Sequence, residues 1–232
     1  MLLVAGIGSR LRPLTDDRPK ALMDIGGETI LGRALRILGQ HGVERIVLAT
    51  GYREDAVRAA LAACALEVVI CRNDRFDSTQ NAVSLALCAD ALAGRGFFKL
   101  DGDVVFCPEV LTRLDACAAP LAVAVDGTRR TDAEGMKYRL GQGDSIEAFG
   151  KALSLDCAAG ETIGIERITS EVGAPLFEAL SRPEHAGLYY EDVYSLLIAA
   201  GELSARAVEV GDLPWTEVDD PADLARARSL FG

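Results

Sequence analysis

Short β-branched or apolar runs alternate with longer stretches of helical period through the first half of this chain, and no other feature constrains its fold as strongly. Residues 2–5 read as the stub of a first strand. Residues 30–39 follow as a helix, with Ile30, Leu31, Ala34, Leu35 and Leu38 at the spacing of one buried face. Residues 45–50 are the next strand and 54–63 the next helix, which carries Ala56, Val57, Ala60 and Leu61 on one side. Strands at 67–71 and 97–101 flank a helix at 81–93. Strands that alternate with helices require crossover connections, so the expected class is α/β: a Rossmann-like, mostly parallel sheet flanked by helices. A ligand of such a sheet lies beyond the carboxyl ends of its strands.

After Val125 the pattern loosens. Residues 136–140 and 145–149 predict a hairpin turning at 141–144, and 162–167 another strand. Helices are expected at 171–180, 191–200 and 221–230, the last opening on Pro221 and an acidic first turn. There is no internal repeat and no low-complexity segment. A single domain over residues 1–232, mixed in its later portion, is the expectation.

With 50% apolar residues the chain can bury a sizeable core, which excludes disorder despite a net charge of -11. That charge argues against nucleic acid and anionic membranes as partners, since both reward basic surfaces. No apolar run reaches the roughly 18 to 20 residues that span a bilayer, and no basic segment precedes a cleavage site. A soluble, cytoplasmic protein is expected. The six cysteines contain no CxxC pair and sit mostly in apolar surroundings, as packing residues in a reducing compartment do. Two histidines, His41 and His185, exclude a histidine-rich metal site.

The loop after the first strand runs Ala5-Gly6-Ile7-Gly8-Ser9-Arg10-Leu11-Arg12-Pro13-Leu14-Thr15, and Arg18-Pro19-Lys20 follows. Gly6 and Gly8 let backbone N–H groups approach an anion closely. Arg10, Arg12, Arg18 and Lys20 place four cations within eleven positions of an otherwise acidic chain. Local positive charge on a negative background points to a specific polyanion such as a triphosphate. The run is neither a P-loop, which needs GxxxxGK[ST], nor a dinucleotide fingerprint, whose third glycine is here Leu11. A surface turn of solvated arginines is the plain alternative, and Lys20 in its Pro-Lys step argues against it.

Two acidic groups stand apart. Residues 97–103 end an apolar strand on Asp101-Gly102-Asp103, at the edge where α/β sheets bind ligands. Carboxylates there call for a cation, and an all-oxygen donor set suits Mg²⁺; an ordinary Asp-Gly-Asp turn is the alternative. Glu217 and Asp219 follow Trp215, and residues two apart in an extended segment point the same way.

The loop resembles the signature LxAGxGxRLxPLTxxxPKxL of nucleotidyltransferases that activate phosphorylated sugars and alcohols. Val4 stands where that signature usually has a small Ala. Leu100-Asp101-Gly102-Asp103 and Trp215-Thr216-Glu217-Val218-Asp219 are similar to segments of the family's phosphocholine-cytidylyltransferase-like branch, as are residues 79–85, 134–137, 149–151 and 160–165. The resemblance covers nearly the whole chain and implies a sheet of the nucleotide-diphospho-sugar transferase type. It implies a nucleotide-binding part at about residues 1–125 and an acceptor-binding part at about 126–232. Carried over, Asp103, Glu217 and Asp219 hold Mg²⁺. Ala5, Gly6, Gly8, Ser9, Arg10, Lys20, Asn81 and Asp101 bind the nucleotide. Lys137 and Lys151 face the acceptor phosphate, and Arg10, Lys20 and Lys151 assist the chemistry.

Tyr189, Tyr190, Glu191, Asp192 and Trp215 combine aromatic faces with acids. A cationic head group over such faces gains about 0.5–2 kcal/mol per contact. Glu191 and Asp192 equally suit the first turn of a helix whose dipole they complement, with the tyrosines merely packed; polyol binding is a third possibility. The expected function is a Mg²⁺-dependent cytidylyltransferase that joins CMP from CTP to a phosphorylated small alcohol, phosphocholine or a similar phosphate or phosphonate, and releases pyrophosphate. Its rivals are a sugar-1-phosphate nucleotidylyltransferase using another NTP and a non-catalytic nucleotide-sensing module. Oligomeric state has no signature in the sequence.

Overall fold

Strands β1 (Leu2–Val4), β2 (Arg45–Thr50), β3 (Glu67–Arg72) and β4 (Phe97–Asp101) pair in the order β3-β2-β1-β4, all parallel, in the computed structural model, which describes residues 1–128 and 134–232. The run of β2 shows why this part is buried on both faces. Ile46 and Leu48 enter one apolar cluster while Val47 and Ala49 enter another, because side chains alternate along a strand. Helices α1 (Ile30–Gln40), α2 (Glu54–Ala60) and α5 (Glu109–Ala116) cover the face that holds Ile37, Val57 and Leu111. Helices α3 (Asn81–Ala86), α4 (Ala89–Leu92), α6 (Ser170–Leu180) and α7 (Tyr190–Ala199) cover the other with Leu85, Leu92, Leu176 and Val193.

The helix expected at 81–93 is thus two short ones. The break falls at Leu87 and Cys88, where Cys88 leaves helical backbone (φ −90°, ψ 0°). Beyond β4 the sheet turns mixed: β9 (Gly160–Ile168) lies antiparallel between β4 and β6 (Leu121–Asp126), and β10 (Ala205–Glu209) runs parallel to β6. The hairpin β7 (Lys137–Leu140) and β8 (Ser145–Gly150) closes that edge. One nine-stranded sheet therefore runs through the described residues on both sides of position 125.

A separate two-stranded ribbon pairs β5 (Val104–Phe106) with β11 (Trp215–Glu217), and α8 (Pro221–Phe231) packs on it. Neither strand of the ribbon has alternation enough of its own to be read as paired, and the sequence predicts only an extended stretch after Trp215. Asp220 caps α8 by accepting from the N–H groups of Ala222 and Asp223, with Pro221 in the first turn as expected. Among the described residues no helix is long and apolar enough to cross a membrane.

Candidate active site

The carboxyl ends of β1 and β4 open into a cleft of about 810 Å³. Gly6 lines it, and a Cβ there would meet nothing within 4 Å, so the backbone itself faces the space. Gly8 has another task. Its φ of +67° makes the turn into a 3-10 helix at Ser9–Leu11, and a Cβ on it would press on Lys20 Cβ at 3.0 Å. Thr15 closes the loop by donating to the Gly8 carbonyl at 2.9 Å, and Tyr52 holds it by donating to the carbonyls of Thr15 and Asp16. Ala5 lines the cleft and accepts from the Tyr52 N–H at 3.1 Å.

Of the four clustered cations, two serve the cleft. Arg12 pairs with Asp16 and Arg18 with Asp17, each more than half exposed. Arg10 reaches Asp219 at 2.7 Å and Glu134 at 2.9 Å. Lys20 reaches Asp103 at 2.7 Å and Asp219 at 2.6 Å. Burial works against its charge, but the two carboxylates outweigh that and raise its pKa.

Antiparallel pairing brings the acids together. Val104 opposes Glu217 in the ribbon, and the Val218 N–H donates to the Asp103 carbonyl at 3.0 Å. Oxygens of Asp103, Glu217 and Asp219 consequently lie within 4.8 Å of one another. Asp103 Oδ1 is buried with no hydrogen-bond partner, and an orphaned carboxylate oxygen in such a group fits a hard divalent cation. Glu217 is exposed as a residue, but desolvation of its carboxyl and the facing Asp103 and Asp219 raise its pKa. Burial opposes the charge of Asp219 as well, yet Lys20 and Arg10 hold it below the ordinary range.

A second lysine sits at the cleft floor. Lys99 is fully buried and pairs with Asp101 at 3.0 Å and with Glu166, its cross-strand neighbour in β9, at 3.1 Å. It also donates to the Tyr190 hydroxyl, which donates onward to Asp101 at 2.9 Å. Asp101 thus lines the cleft while gripped from below. Nothing in the local pattern announced Lys99 or Glu166; their pairing belongs to the β4–β9 register.

The acceptor residues read from sequence divide. Glu191, Tyr189, Trp215 and Lys151 line the cleft, as does Asn81, read as a nucleotide residue. Lys151 stands 4.8 Å from the centre of the Tyr189 ring. Tyr190 is instead completely buried, and its ring lies beneath Lys99. Trp215 is 4% exposed and its Nε1 donates to Asp126 at 2.9 Å, so little of its face is offered. Asp192 caps α7, accepting from the Tyr189 N–H at 3.0 Å. Asn81 accepts from the Tyr190 N–H at 3.0 Å and so ties α3 to α7. Lys137 is buried in β7, and its ammonium donates to the Gly135 carbonyl at 3.2 Å. Thr79, Gln80, Glu134, Met136 and Glu161, from the segments that resemble the family branch, also line the cleft, and Phe76 joins them from outside any such segment.

A profile of the MobA-like NTP transferase domain matches residues 1–151. The chain belongs to that family. Several relatives match over their full extent or part of it. The CMP-5'-(3-aminopropyl)phosphonate synthase of Streptomyces rubellomurinus is 33% identical over 248 residues, covering 100% of this chain and 38% of that protein. This family member thus spans little more than a third of that relative. The CTP:phosphoglutamine cytidylyltransferase of Campylobacter jejuni is 30% identical over 250 residues, covering 97% of this chain and 96% of that one. The inositol-1-phosphate CTP transferase from T. maritima superposes with a TM-score of 0.82 at 26% identity, covering 99% of this chain and 92% of that one. The sheet and its flanking helices are therefore those of the nucleotide-diphospho-sugar transferase type.

Proposed function

We propose that this NTP transferase is a Mg²⁺-dependent cytidylyltransferase that joins CMP from CTP to a small alcohol bearing a phosphate or phosphonate. The observation that carries the reading is the orphaned Asp103 Oδ1 within the Asp103–Glu217–Asp219 group, faced by Arg10 and Lys20. Cytidylyl transfer by the relatives supports the choice of base. In the reaction an acceptor oxygen forms a bond to the α-phosphorus of CTP. The bond from that phosphorus to the bridging oxygen breaks, and pyrophosphate leaves with the electron pair. A phosphate acceptor has a second pKa near ~6 and arrives mainly as a dianion, so no general base is required. Rate enhancement comes from alignment and charge neutralisation.

Asp103, Glu217 and Asp219 are the residues that would hold the metal, which supplies positive charge at the reacting phosphate. Lys20 and Arg10, paired with those carboxylates in the ligand-free cleft, are released to the triphosphate and the leaving pyrophosphate. Gly6 allows close backbone approach. Lys151, at the far side beside Tyr189, meets the acceptor phosphate. On this reading residues 1–125 serve the nucleotide and 126–232 the acceptor. The six free thiols support a cytoplasmic setting.

Pyrophosphate release tests the proposal. Each of the four NTPs is incubated with Mg²⁺ and phosphocholine, 2-aminoethylphosphonate, inositol-1-phosphate or glucose-1-phosphate. CTP with one of the first three is expected to turn over. Turnover confined to glucose-1-phosphate with another NTP would replace this reading by a sugar nucleotidylyltransferase.

A further inference from the structure

The cleft floor gathers more carboxyl groups around one lysine than that lysine pairs. Asp101, Glu166 and Glu191 share one lysine, Lys99, whose ion pairs go to Asp101 and Glu166. Glu191 has none. It is 4% exposed, lines the cleft in the first turn of α7, and its Oε2 is buried without a hydrogen-bond partner. Capping does not explain it, because Asp192 performs that role for the helix. A buried carboxylate oxygen without a partner is costly, and the cost is relieved by a cation that arrives from the cleft. Burial, opposed by Lys99 and by a hydrogen bond with Tyr190 and reinforced by Asp101 and Glu166, pushes the Glu191 carboxyl up to about 8.

What cation fits follows from the surroundings. Among the described residues, the only group of ligand atoms close enough for a metal ion is Asp103, Glu217 and Asp219, and Glu191 is outside it. A quaternary ammonium has no N–H and depends on open aromatic faces. Here Tyr189 is occupied by Lys151, Tyr190 is sealed under Lys99, and Trp215 is nearly covered. A primary ammonium needs no such cage: it donates up to three hydrogen bonds and pairs with carboxylate oxygen directly.

We propose that Glu191, backed by Asp101 on the cleft floor, is the subsite for a primary ammonium group of the acceptor, which makes the acceptor an amino-alcohol phosphate or aminoalkylphosphonate. This rests on the transfer reading of the same cleft and names its substrate class. The remote ammonium anchors one end of the acceptor while Lys151 meets its phosphate, so binding energy at Glu191 orients the attacking oxygen.

The test compares 2-aminoethylphosphonate with its isostere 2-hydroxyethylphosphonate, by calorimetry with Mg²⁺ and a non-hydrolysable CTP analogue, on wild type and Glu191→Gln. Wild type is expected to prefer the amine by about 30-fold or more, the effect of a buried charge partner. Glu191→Gln is expected to abolish that preference while leaving affinity for the hydroxy compound unchanged. Equal affinity of wild type for both compounds, binding of neither, or a preference that survives in a folded variant overturns the subsite. The wild-type comparison stands even if the variant folds poorly. Pyrophosphate release separates the two readings: an amine preference in binding without release from CTP leaves the subsite standing and removes cytidylyl transfer.

Discussion

The mouth and the floor of the cleft are both built from a lysine among carboxylates, yet they differ in what water and ligand can reach. At the mouth Lys20 keeps 16% side-chain exposure and shares Asp219 with Arg10. At the floor Lys99 has none, and its partners Glu166 and Tyr190 are sealed with it. The mouth is a place where charges are exchanged: its carboxylates can pass from lysine and arginine to a metal, freeing both cations for phosphate. The floor is fixed. Its ion pairs hold Asp101 rigid from below, and only Glu191 is left for something from outside. Identical residue types thus yield a catalytic site in one place and a foundation in the other, and accessibility decides which.

Four substitutions break or sharpen that comparison. Asp103→Asn has the largest expected effect. It removes a charged ligand oxygen, so Mg²⁺-dependent pyrophosphate release should fall to background while the denaturant midpoint holds or rises. Activity that survives with added Mg²⁺ would move the metal elsewhere. At the floor, Lys99→Met leaves buried carboxylates without their cation, and urea unfolding should report a loss of about 3–5 kcal/mol. A stability close to wild type would show that the floor acids are held protonated instead.

Lys20→Ala is the counterpart at the mouth. Turnover should fall by about 10²- to 10³-fold, the effect of one electrostatic donor at a transition state, with far less change in stability than Lys99→Met causes. The reverse ranking, a large stability loss and unchanged turnover, would make Lys20 a structural residue. Glu217→Gln carries the smallest effect, because water screens this exposed side chain, and it depends on pH. Below about 4.5 Glu217 holds its proton folded or unfolded, so wild type and variant match. As pH rises toward about 9 the unfolded chain ionises first, and metal-free wild type should lose stability relative to Glu217→Gln. Added Mg²⁺ should reverse the difference. Parallel melting curves across this range without metal would show that Glu217 ionises freely.

The expectation for the acceptor end of the cleft illustrates where local pattern stops informing. Tyr189, Tyr190 and Trp215 read as a cage for a cationic head group, and Glu191 and Asp192 as its acids or as helix caps. The folded chain splits them: Asp192 caps, Tyr190 lies beneath Lys99, Trp215 binds Asp126, and Glu191 lines the cleft with one carboxylate oxygen left without a hydrogen bond. Adjacent positions at a helix start point in different directions, and which of them meets a cavity depends on what α7 packs against.

The sequence by itself determined the early α/β alternation, the glycine turn after β1, and the acids at the end of β4 and beyond Trp215. These rest on local physics: strand and helix periods, a left-handed backbone at Gly8, and the position of strand ends. Tertiary structure alone decided which charges meet. Cross-strand register sets Glu166 opposite Lys99, the β5–β11 ribbon carries Glu217 to Asp103, and the fold brings Asp219 to Arg10 and Lys20. Partners separated by tens to hundreds of positions are chosen by strand pairing and burial, and neither is encoded in the spacing of neighbouring residues.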